Sequence, residues 1–72
     1  MNENDWRERI SIKSTVCHGK PCIKGHRIWV SLVLDLLAGG STTRDILREY
    51  PGVTKDDIFA CIAYGAEMPR ER

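Results

Sequence analysis

The chain has 72 residues, 42% hydrophobic and 29% charged, with a formal net charge of +1. That length bounds it to one domain whose core needs reinforcement by a metal, disulfides or a second subunit, and the mix of apolar and charged residues excludes a disordered chain. The net charge decides nothing about nucleic acid, but its division does: residues 1–30 carry six Lys/Arg against three Asp/Glu, and residues 31–72 carry five against seven, so a nucleic-acid contact is expected in the N-terminal half.

Residues 1–10 are polar and hold no apolar run, so no secretory signal is expected ahead of Cys17, Cys22 and Cys61. Three thiols cannot all pair within one chain, which suits a reducing cytoplasm. Residues 1–8 read as a flexible segment. Residues 9–13 alternate polar and apolar and predict a short strand. Residues 14–26 hold Gly19, Pro21 and Gly25 and predict a loop. Residues 27–30 are β-prone and predict a second short strand. Strands this short are weak alone, and their open edges favour pairing with each other or with a second copy.

The rest reads as helix. Ser31 is the expected N-cap of a first, central helix over 32–38, with Leu32, Val33, Leu36 and Leu37 on one face, and Gly39-Gly40 as its stop. The longest apolar run, 29–38, is too short to span a bilayer. Ser41 or Thr42 caps a second helix over 43–50, whose apolar stripe is Ile46, Leu47 and Tyr50; Pro51-Gly52 ends it. Thr54 opens a third helix and forms a capping box with Asp57. In that helix Ile58, Phe59, Ile62, Ala63 and Ala66 recur at helical spacing and are expected to face the core, and Pro69 is expected to end it. The fold class expected is mainly α: a three-helix, homeodomain-like helix-turn-helix bundle with one or two short N-terminal β-strands. Its domain spans 9–68, with a frayed tail over 69–72.

Candidate chemistry concentrates in the loop. Cys17, Cys22 and His26 have zinc-ligand chemistry, with His18 a fourth candidate, but no C-x-x-C knuckle is present and His18 follows Cys17 directly. Small apolar fillers are the simpler reading of these cysteines, so no metal or cofactor is expected. A Cys17–His18 nucleophile pair fails because adjacent residues of extended chain point to opposite sides, and no catalytic residue is assigned. Gly19-Lys20 is not a phosphate loop, since Pro21 stands where Ser or Thr is required.

Lys20, Lys24, His26 and Arg27 make a basic loop with two readings. It holds DNA phosphates, Arg27 offering a bidentate contact, or it is a solvated loop in which Arg27 pairs with a carboxylate such as Asp35. Arg44 and Arg48, one turn apart on the second helix, are further phosphate candidates. Asp56 and Asp57 make the third helix a poor groove reader. Trp6, Ile10, Ile12 and Trp29 are read as anchors for a second subunit or another partner, with the core as the alternative for the two tryptophans.

The spacing G-x-P-x-I-x-G-x-R-I from Gly19 to Ile28, with Leu36-Leu37-Ala38-Gly39-Gly40 and Tyr50-Pro51-Gly52 downstream, resembles the bacterial family catalogued as domain of unknown function 433. The resemblance covers residues 8–67. His26 departs from it, standing where the family usually has threonine. What the resemblance implies is a homeodomain-like helix-turn-helix protein acting as an antitoxin, encoded beside a PIN-like nuclease. On that reading the chain is a cytoplasmic, non-enzymatic binding module: a homodimer with the nuclease as partner, operator DNA as a further one, and no membrane contact. The competing expectation is a protein-interaction module that never touches DNA.

Overall fold

Three short strands lead into three helices in a computed structural model that describes residues 6–13 and 19–67. The strands are β1 (Ile10–Ser11), β2 (Cys22–Ile23) and β3 (Ile28–Trp29), and the helices are α1 (Val30–Ala38), α2 (Thr43–Glu49) and α3 (Lys55–Glu67). The sheet is antiparallel in the order β1-β2-β3. The fold is therefore mixed, three helices with a small three-stranded sheet, where one or two strands were expected. The expected helix end at Pro69 and the frayed tail over 69–72 lie outside the described residues, as do Cys17 and His18.

The strand missing from the sequence reading is the central one. In β2 Ile23 pairs with Ile10 on one side and Ile28 on the other, and Cys22 pairs with Ser11 and Trp29. Successive strand residues point to opposite faces, yet Cys22 and Ile23 are both buried, so β2 is covered on both sides. Backbone bonds from Lys24 N–H to the Arg9 carbonyl (2.8 Å) and from Val30 N–H to the Pro21 carbonyl (3.0 Å) extend the pairing beyond the strands.

That last bond also moves the start of α1. The chain runs from β3 straight into helix, with Trp29 at the N-cap position and no side-chain cap; Ser31, the expected cap, lies inside the first turn. The helix stops where expected, Gly40 taking a φ of +105° that glycine adopts without penalty. Thr42, not Ser41, caps α2: its hydroxyl accepts from Asp45 N–H at 3.1 Å while its own N–H donates to the Asp45 carboxylate at 3.0 Å. Thr54 and Asp57 repeat this box at α3, at 3.0 and 3.2 Å.

Helix α3, rather than α1, is the hub, packing against α1, α2, β1 and the 3-10 turn Trp6–Glu8. Its buried residues are Asp57, Ile58, Ala60 and Cys61. Phe59 and Ile62, expected in the core, are 42% and 44% exposed, and Ala66 is exposed too. The apolar residues of α3 lie on two faces, and the capping box turns the Asp57 side inward. Leu32 is likewise exposed on α1, where Val30 and Val33 are the buried residues. Trp6, expected in a flexible segment, is 8% exposed, and its ring meets Tyr64 edge-on at 4.8 Å. No helix among the described residues is long and apolar enough to cross a membrane.

Candidate nucleic-acid interface

The hairpin joining β2 to β3 is built around one carbonyl. The Ile23 oxygen accepts from His26 N–H at 3.1 Å and Arg27 N–H at 3.2 Å, which closes a four-residue turn. That closure places Gly25 at φ +83° and Arg27 at φ +56°. For glycine this conformation is free; for arginine it costs on the order of 1–2 kcal/mol. Among the described residues Arg27 is the one non-glycine held there. A strained side-chain-bearing residue at the tip of a basic turn is the kind of position where function outweighs stability.

The end of β1 and this turn border one surface hollow. Ser11, Lys13, Lys24, Gly25 and Arg27 line a shallow concavity of about 520 Å³. Three cations face one hollow, and none of the described residues lining it is a carboxylate. Lys24 spends one donor on the Arg7 carbonyl, at 3.1 Å, which steadies its ammonium. Gly25 has nothing within 4 Å of where a Cβ would stand, so the backbone is open to approach. Like charges gathered without a counter-charge repel one another and create a field that draws in an anion.

Asp45, Asp56 and Asp57, by contrast, are occupied. The Arg9 guanidinium reaches Asp57 at 3.1 Å and Asp56 at 3.5 Å. Burial pushes the Asp57 carboxyl upward, but bonds from Thr54 and Arg9 outweigh it and leave its pKa below the ordinary value. Asp45 is also held low, by its bonds from Thr42 and, less, by the charge of Arg48. No ion pair joins Arg27 to Asp35, so the structural role the sequence offered for Arg27 falls to Arg9.

Of the five phosphate candidates, Lys24 and Arg27 share the hollow. Lys20 lies elsewhere, its ammonium 5.0 Å over the Trp29 ring. Arg44 and Arg48 are exposed on α2 and line no part of the hollow. Lys13 was missed, because only the folded chain brings it near residues eleven or more positions away. Of the four partner anchors, Trp6 and Ile10 are buried in the chain's own core, while Ile12 and Trp29 are exposed.

Of the metal and nucleophile candidates, Cys17 and His18 lie outside the described residues. Among the described residues no three His, Cys, Asp or Glu side chains gather to hold a metal. Cys22 is buried in the sheet; His26 is exposed, its ring lying against Gly52, where a Cβ would stand 2.9 Å from it. Burial, and then the charge of Asp57, push the Cys61 thiol up to about 12, which keeps it neutral and unreactive.

Comparison with known proteins places this geometry in a family. Residues 10–65 match the family described as Protein of unknown function (DUF433). The chain is similar to a crystal structure of a DUF433 member protein from Anabaena variabilis ATCC 29413, at 30% identity and a TM-score of 0.77, over 82% of this chain and 58% of that one. The chain thus spans less than two thirds of that relative's length. No curated protein matches it.

Proposed function

The chain belongs to the DUF433 family, and from that premise we propose an antitoxin-like regulatory binding protein that contacts DNA phosphates through the hollow between β1 and the β2–β3 turn. The observation that carries the DNA contact is the gathering of Lys13, Lys24 and Arg27 around one concavity with no carboxylate in its lining. Helices α2 and α3 and the turn between them serve as a helix-turn-helix pair that scaffolds this contact without reading the groove. Asp56 and Asp57 stand at the start of α3, where they repel phosphate. The partner implied by the family resemblance is a PIN-like nuclease, met in the cytoplasm by a homodimer of this chain.

Co-expression with the product of the adjacent gene tests the partner, and a duplex carrying the chain's own promoter tests the DNA contact. The expected result is a complex of defined mass, and duplex binding that weakens steeply as salt rises. Absence of both contradicts the proposal. A second reading, an interaction module without DNA contact, draws on the outward Phe59 and Ile62 of α3, an apolar face suited to another protein. A nuclease complex with no affinity for duplex at low salt favours that reading.

A further inference from the structure

A second cavity differs from the basic hollow in its chemistry. It measures about 390 Å³ and lies between the first half of α1, the second half of α3 and the Lys20–Pro21 segment. Its walls are chiefly apolar: Pro21, Leu34 and the Tyr64 ring, with Gly65 behind them. Gly65 sits within α3, where glycine costs about 1 kcal/mol relative to alanine. A Cβ there would stand 3.0 Å from a Leu34 methyl, so the glycine lets Leu34 close onto the helix and shapes the cavity floor.

The charge at this cavity has one sign. Lys20 is the charged residue in its described lining, and its ammonium rests over the half-exposed Trp29 ring, with no carboxylate partner among the described residues. The first turn of α1 opens on the same rim through Ser31 and has no side-chain cap, and the helix dipole adds a positive partial charge there. Apolar walls exclude a bare phosphate as the natural occupant, and one cation is too few to hold a nucleic-acid backbone.

We propose that this cavity docks a segment of a partner polypeptide in which a large apolar side chain lies beside a carboxylate. The apolar side chain fills the space between Leu34 and Tyr64, and the carboxylate meets Lys20. This rests on the reading that the chain binds a protein partner, and it assigns where one acidic, apolar segment of that partner sits.

Two synthetic peptides test it: acetyl-Gly-Asp-Phe-Asp-Gly-amide and its counterpart with Lys in place of Asp. Each is titrated into the full isotope-labelled chain while backbone amide signals are followed. The acidic peptide is expected to shift Ser31, Leu34 and Gly65 and to bind about tenfold more tightly, since repulsion replaces attraction in the basic one. Lys20→Glu should reverse that preference, and Leu34→Trp should abolish binding of both while the amide spectrum shows the fold intact. Equal binding of the two peptides, shifts confined to other residues, or a preference unchanged by Lys20→Glu overturns the assignment. A chain that ignores both peptides yet still captures the nuclease loses this docking site and keeps the proposed function; a chain that captures neither nuclease nor duplex loses the wider reading.

Discussion

The sheet-and-turn half and the helical half of this protein treat charge in opposite ways. In the helical half three carboxylates are consumed by the fold: Asp45 closes one capping box, Asp57 closes another, and Arg9 holds Asp56 and Asp57 together. Around the turn, Lys13 and Arg27 face a shared hollow with no acid in its described lining, and Arg27 is held there in a left-handed conformation. Internally satisfied charges stabilise the chain, while a gathered, uncompensated set costs stability and is available to a ligand. The difference separates charges that the fold satisfies from charges that it leaves available.

The largest test of that division is Asp57→Ala. It removes a buried carboxylate that accepts from Thr54 and Arg9, so unfolding free energy in urea should fall by about 2–3 kcal/mol. An unchanged midpoint would mean the capping box and the Arg9 pair contribute nothing. The same carboxylate sets an acid limit. Its folded pKa is lowered, so its stabilisation is complete above its unfolded value, near about pH 4, and is lost as pH falls through the lower folded value. Asp57→Asn should flatten the fall in melting temperature below about pH 4.

Thr54→Ala is a smaller step, expected to cost about 1 kcal/mol because one α3 cap bond is lost. Arg27→Gly is smallest and sharpens the comparison most. Glycine relieves the left-handed strain but adds unfolded-state entropy, so stability should hold or rise by up to about 1 kcal/mol while duplex affinity falls. A variant that loses stability would place Arg27 among the charges that the fold satisfies.

Much of the helical half was legible because its signals are local. Thr54 with Asp57, Gly39-Gly40 and Pro51 each act within one turn, and all fall where the sequence placed them. The misplaced core face of α3 has a local cause as well: apolar residues occur on both sides of that helix, and spacing alone favoured Phe59 and Ile62 over the small Ala60 and Cys61. The sheet half was less legible because its order comes from distant partners. Two residues between Pro21 and Lys24 show no period, and β2 exists only through pairing on both sides. Trp6 was hidden by its polar neighbours, since its burial depends on Tyr64, far along the chain. Lys24 and Arg27 were found from the basic loop, whereas Lys13 needed the folded chain.

The central claim is that phosphate is met at the turn and not on α2. Duplex affinity measured against salt for the parent chain, for Lys13→Ala with Arg27→Ala, and for Arg44→Ala with Arg48→Ala tests it directly. The account predicts that the turn pair lowers the salt slope by about 2, close to one unit per lost phosphate contact, while the α2 pair leaves it near the parent value. A slope that collapses with the α2 pair and survives loss of Lys13 and Arg27 would contradict it.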